Sequence, residues 1–190
     1  MKKSHGLFVV AALATALFIS SHAGVAHQGP SYLYPNAEKT PGALNAEVTQ
    51  ENLQKTICAS NYTAKIRPPA SYTTKLKKQQ LADGYAYQGD MNTAHYEEDH
   101  FISLELGGNP TDEKNLWPQY YNVGDKNSAE AGAREKDKTE NFLHAQVCSG
   151  ALTLKQAQDA IVRDWYAVYI SGRDSEGTFV RYYKQSTTDD

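Results

Sequence analysis

Tyr96-Glu97-Glu98-Asp99-His100-Phe101-Ile102-Ser103-Leu104-Glu105-Leu106-Gly107-Gly108, followed by Asn115-Leu116-Trp117-Pro118, is the stretch whose reading decides the fold. Phe101 to Leu106 alternates apolar and polar residues, the period of a half-buried strand. Gly107-Gly108-Asn109-Pro110 breaks that pattern, Thr111 to Lys114 is a polar loop, and Leu116-Trp117 opens a second short strand. The pair reads as a hairpin. Asp99 can hold a divalent cation, and the adjacent His100 can take a proton from water near neutral pH.

Downstream, Asn127 or Ser128 can cap a helix running to about Cys148, and Gly150 is placed to end it. Glu140 and His144 are four apart and share one face of that helix with Ala133 and Asp137, while Leu143 and Val147 flank the face and bury it. A carboxylate and an imidazole one turn apart are natural ligands for a divalent cation. A cation bridging hairpin and helix requires Asp99 and His144 to converge, with Glu140 a further ligand. Thr153 and Gln156 form a capping box for a second helix, Leu154 to about Ile170, whose Ala157, Ile161, Trp165 and Val168 form a core stripe. Phe179 to Tyr183 is a candidate terminal strand.

Upstream, Thr49 to Thr56 is a short helix or turn. Arg67-Pro68-Pro69 is extended, because proline disfavours helix before it. Ser71 to Thr74 offers caps for a helix from about Thr74 to Ala82, stopped near Gly84. Between Asn61 and Ala82 lie Lys65, Arg67, Lys75, Lys77 and Lys78 and no acid. That stretch is either a solvated face or a phosphate-contacting surface. Arg134, Lys136 and Lys138 read the same two ways, and His95 reads as a surface histidine. The whole is an α+β chain with no internal repeat.

Residues 1–26 read as a secretory signal peptide: Lys2 and Lys3, an apolar run from Leu7 to Ile19, then small residues suited to cleavage. The run is short for a bilayer span, which takes about 20 apolar residues, and no Cys follows it, which argues against a lipoprotein. Residues 27–48, whose stretch Gln28 to Pro41 is rich in Gly, Pro, Asn and Tyr, read as a poorly structured lead-in, and residues 49–190 as one domain large enough for a core. The chain carries 19 basic and 22 acidic residues, net −3. That balance excludes a protein that coats nucleic acid through bulk charge, so polyanion binding must use local patches. Cys58 and Cys148, in an exported chain, pair as a disulfide; two separate buried thiols are the alternative. Neither sits in a C-x-x-C pair, which argues against a zinc knuckle or redox centre.

Asp99-His100, Gly107-Gly108, Asn115-Leu116 and a helix bearing His144 together resemble the HNH endonucleases of the ββα-metal superfamily. The resemblance is strongest to an exported bacterial subgroup with Tyr-Glu-Glu-Asp-His, a Gly-Gly turn, Asn-Leu-Trp-Pro and a Lys136-Asp137…Glu140-Asn141…His144 helix. It covers Tyr96 to His144 closely and most of the mature chain loosely. It implies a hairpin-plus-helix core with added helices. His100 would be the general base, and Asn115 would hold the loop and orient it. Asp99 and His144 would be metal ligands, with Glu140 and then Asn141 competing for the helix role, since the spacing from Asn115 to His144 exceeds that of compact motifs. The implied cofactor is a divalent metal, Mg²⁺ first, with Zn²⁺, Mn²⁺ or Ni²⁺ as alternatives. The implied activity is hydrolysis of DNA, with RNA as a further substrate, with little sequence specificity, by a secreted or periplasmic monomer free of the membrane after signal cleavage. The alternative is a non-catalytic exported binding protein on the same scaffold, to which the acidic balance and 13 tyrosines lend some weight, although tyrosine also packs at ordinary surfaces while keeping a hydrogen bond.

Overall fold

Two five-residue strands, β1 (Tyr96–His100) and β2 (Leu116–Tyr120), form an antiparallel sheet with Tyr96 opposite Tyr120, Asp99 opposite Trp117 and His100 opposite Leu116. They belong to a computed structural model of the chain that describes residues 33–121 and 132–173. The first strand thus lies one step before the alternating segment that reads as strand. Phe101, Ile102, Leu104 and Leu106 are instead all buried in an irregular turn ending in a 3-10 helix at Leu104–Leu106. The cause is Asn115, which is fully buried. Its Oδ1 accepts from Ile102 N–H at 2.9 Å, and its Nδ2 donates to the carbonyls of Ile102 at 2.9 Å and Asn109 at 3.0 Å. These bonds do for the connection what a strand partner would otherwise do. The Gly-Gly turn follows from the same grip. Gly107 adopts φ +77°, and a Cβ on Gly108 would lie 1.7 Å from the Ile102 carbonyl oxygen.

The remaining elements are α1 (Tyr62–Ile66), α2 (Ala70–Gln80), α3 (Ala133–Cys148) and α4 (Leu154–Ser171). The structure is therefore a mixed α+β fold with a small two-stranded sheet. A 3-10 helix at Gln50–Lys55 occupies the place of the short upstream helix. Arg67 and Pro69 are extended, at ψ 128° and 148°. α2 begins at once behind Pro69, four residues earlier than Thr74, because Pro69 itself takes the cap position; the helix stops through a widened π turn, Leu81–Tyr85, at Gly84, φ +97°. Lys77 Nζ reaches the Tyr96 carbonyl at 2.6 Å and Gln80 Nε2 the Leu116 carbonyl at 2.8 Å, which fixes α2 to the hairpin.

On the helical side, α3 ends at Cys148 with Gly150 in the left-handed region just beyond. Its described start is Ala133; the alternative caps Asn127 and Ser128 lie outside the described residues, as do the signal segment and the Phe179–Tyr183 strand. α4 opens with the Thr153–Gln156 capping box and buries Ala157, Ile161, Trp165 and Val168. The lead-in carries no regular helix or strand from Tyr34 to Val48 apart from the Leu44–Gly108 bridge, yet it is firmly seated. Leu33 and Tyr34 are core residues, and the Leu33 carbonyl accepts from Trp165 Nε1 at 2.7 Å. The compact unit therefore starts before residue 49. Cys58 and Cys148 are joined in a disulfide, Cα–Cα 5.6 Å, which ties the segment after the first 3-10 helix to the end of α3. No helix among the described residues is long and apolar enough to cross a membrane.

Candidate functional site

The end of β1 delivers Asp99 and His100 to the side of α3, and β1, α2 and the Arg67–Pro69 segment enclose a groove of about 300 Å³. Arg67, Thr73, Lys77, Glu97, Glu98 and His100 line it. A larger hollow, about 720 Å³, lies elsewhere between the lead-in and α4, against Pro41, Leu44, Ile102 and Val162, with Lys155, Asp159 and Arg163 also in its lining; it is mostly apolar.

His100 is 5 % exposed, and its Nε2 lies 3.0 Å from the Pro110 carbonyl. A carbonyl only accepts, so Nε2 carries the hydrogen and Nδ1 keeps a lone pair. Burial lowers the His100 pKa, against the opposing pull of the Pro110 bond and of Asp99. The ring is neutral at neutral pH and can accept a proton. Pro110 is held in turn by the loop that Asn115 clamps through Asn109, so the two residues that the sequence pairs are mechanically linked.

The carboxylates beside it are shifted the other way. Burial, then the charge of Asp99, pushes Glu97 up to about 7. Burial and Asp99 push Glu98 up to about 8, against Lys77. Arg67 stands exposed at the groove and acts electrostatically on His100, Glu97, Glu105 and Asp137.

Asp99 and Glu140 do come together, but around a side chain. Lys136, with no exposed surface, places Nζ 2.8 Å from Asp99 Oδ2, 2.8 Å from the His100 carbonyl oxygen, and in a short bond with Glu140 Oε1. This corrects the reading of Lys136 as a solvated or phosphate-contacting residue. The two carboxylates hold Lys136 in its charged form, above its ordinary pKa, while burial drives Glu140 upward. Arg134 and Lys138 are exposed, the first over the Tyr121 ring and the second 3.7 Å from Glu135. Asn141 is exposed and donates to the Asp137 carbonyl.

His144 does not join Asp99. It lies eight residues beyond Lys136 on α3, about 12 Å of helix rise. Its Nε2 faces the Ile57 carbonyl at 2.9 Å and Cys148 Sγ at 3.2 Å, and its Nδ1 lies 3.6 Å from Glu105 Oε2. Among the described residues, the cluster spaced to hold a metal ion is Cys58, His144 and Cys148, with ligand atoms within 4.8 Å of one another. Thiolates are the sulfur ligands of metals, so that cluster could hold an ion only with the disulfide opened. His95 is exposed and bonded to Asp90 at 2.5 Å.

The signal that finds Lys136 is its spacing. Lys136, Thr139, Glu140, Leu143 and Val147 recur on one α3 stripe, and all are buried. Comparison with known proteins gives no support from outside the chain: no family model, no curated protein and no solved structure matches it.

Proposed function

We propose that this chain is an exported endonuclease that hydrolyses phosphodiester bonds of DNA or RNA with little sequence preference, on a hairpin-plus-helix scaffold of the HNH kind. The observation that carries this reading is His100: a neutral imidazole at a strand end, its Nε2 pinned by a backbone carbonyl, in a groove shared with Arg67. In the reaction, His100 Nδ1 takes a proton from water. The water oxygen bonds to phosphorus and the bond to the leaving sugar oxygen breaks. Arg67, at the groove, meets the phosphate with positive charge. Glu97, which lines the same groove and is pushed up to about 7 by burial, can give a proton to the leaving oxygen in its protonated fraction. Raised pKa values also keep Glu97 and Glu98 from presenting full negative charge to a polyanion.

The divalent metal that the resemblance implies does not fit its expected ligands. Asp99 and Glu140 are turned onto the Lys136 ammonium, and His144 is engaged two turns away at the disulfide. His100, Arg67 and Glu97 therefore carry the reaction. Secretion rests on the leader-like residues 1–26, and the disulfide supports it, since such bonds persist in oxidising compartments.

The test is incubation of the purified protein with supercoiled plasmid and with single-stranded RNA. His100→Ala should lower cleavage by about 10²–10⁴-fold, the usual contribution of a general base, with an unchanged circular dichroism spectrum. Cleavage by the variant at the wild-type rate, or none by the wild type on either substrate, refutes the reading.

A further inference from the structure

We propose that Lys136 is the resident cation of this site: its ammonium, rather than a metal ion, is what Asp99, Glu140 and the His100 carbonyl hold, and it fixes the strand end from which His100 projects. The metal-binding half of this statement stands on geometry alone; its catalytic half rests on His100 being the base.

An ammonium has three N–H donors and no acceptor. Here each donor has an oxygen: Asp99 Oδ2, the His100 carbonyl and Glu140 Oε1. Two of those oxygens belong to residues that the sequence offers as metal ligands. The third is the backbone of the base itself. A Mg²⁺ ion needs near-octahedral oxygen coordination at about 2.0–2.1 Å and keeps several waters. The space between these three oxygens is filled by a side chain with no exposed surface, so it admits neither ion nor water shell. A second positive charge against the outer Asp99 oxygen would also face the ammonium across a buried carboxylate. The arrangement is anchored from both sides. Lys136 and Glu140 are one turn apart on α3, while Asp99 and His100 are consecutive on β1, so one buried cation joins strand to helix beside the reactive ring. Because Lys136 is wholly buried it does not touch substrate; it is a positioning residue, and charge on the phosphate falls to Arg67.

Wild-type protein, Asp99→Asn and Lys136→Ala are each titrated with Mn²⁺ alone, followed by calorimetry and by the paramagnetic resonance of the ion. The expected result is no wild-type binding that Asp99→Asn alters. In Lys136→Ala, where the space is vacated and two carboxylates are left without their counter-charge, a Mn²⁺ site should appear at least tenfold tighter than any in the wild type. Wild-type binding that Asp99→Asn weakens tenfold or more overturns the proposal, and so does a folded Lys136→Ala protein with no gain. If Lys136→Ala does not fold, the wild-type and Asp99→Asn comparison decides alone. In the nuclease assay, cleavage should survive EDTA within about twofold; loss in EDTA with recovery on adding Mn²⁺ overturns it. Absence of cleavage under every condition defeats the hydrolase reading and leaves the Mn²⁺ titration to judge Lys136.

Discussion

Replacing Glu98 by glutamine should make the protein more stable in alkaline solution and flatten its dependence on pH. Glu98 sits in the middle of β1 opposite Pro118, and both of its carboxyl oxygens are buried without a hydrogen-bond partner among the described residues. Its pKa, pushed up to about 8 by burial and by Asp99, lies above the ordinary value of 4.5. Folding therefore disfavours the charged form. The sign follows: the stability linked to this group is complete below its unfolded pKa and is lost as pH rises through the folded one, between about 4.5 and 8. Each unit of difference corresponds to about 1.4 kcal/mol, which sets an upper bound of about 5 kcal/mol. Solvent around the half-buried residue screens this to about 2–3 kcal/mol. Glu98→Gln keeps the shape and removes the charge. Urea unfolding at pH 5 and pH 9 should show the wild type losing stability across that interval, and the variant losing about 2–3 kcal/mol less. In a domain of this size that difference is roughly 5–10 °C in Tm at pH 9. Glu97, with the same sign, leaves a residual slope in the variant. Identical pH slopes for the two proteins would refute the argument that Glu98 is folded in a neutral form.

Asn115→Ala removes three hydrogen bonds and leaves the Ile102 and Asn109 backbone groups buried; a loss of about 3–5 kcal/mol is expected in urea unfolding, and a change below 1 kcal/mol would show that the clamp is dispensable. Reduction of the Cys58–Cys148 bond, or Cys58→Ser with Cys148→Ser, opens a ring of sequence separation 90, so chain entropy gives a loss of about 4–5 kcal/mol; an unchanged Tm under reductant would contradict it.

The parts of the fold that could be read from sequence are those whose cause is local. The Thr153–Gln156 box and the four-residue spacing of the α4 core need only neighbours in the chain, as does Gly150 beyond α3. β1 was displaced because its residues, Tyr96-Glu97-Glu98-Asp99-His100, carry three acids, whereas the apolar alternation falls on Phe101 to Leu106. What bends that segment away from a strand is the side chain of Asn115, a contact across 13 positions. Composition misled at the lead-in too. Its Gly, Pro and Asn do prevent regular structure, but Leu33 and Tyr34 find their partners on α4, more than a hundred residues away. At the site, His100 and Asn115 were paired by the resemblance, and the structure links them through the loop of Asn109 and Pro110. The partner of Asp99 was not legible. A lysine ordinarily reads as solvent-facing, and only the burial of its stripe on α3 by Leu143 and Val147 says otherwise. His144 shows the converse: one turn from Glu140 and chemically apt, it is drawn to the disulfide by the helix end on which it sits.

The Cys58–Cys148 link closes a covalent loop around α1, α2, both strands and nearly all of α3. Both walls of the His100 groove, from Arg67 to Tyr121, lie inside it. Severing one peptide bond anywhere within that loop would convert a circle into a line without setting either piece adrift. A protease would have to cut twice before any part of the groove could diffuse away.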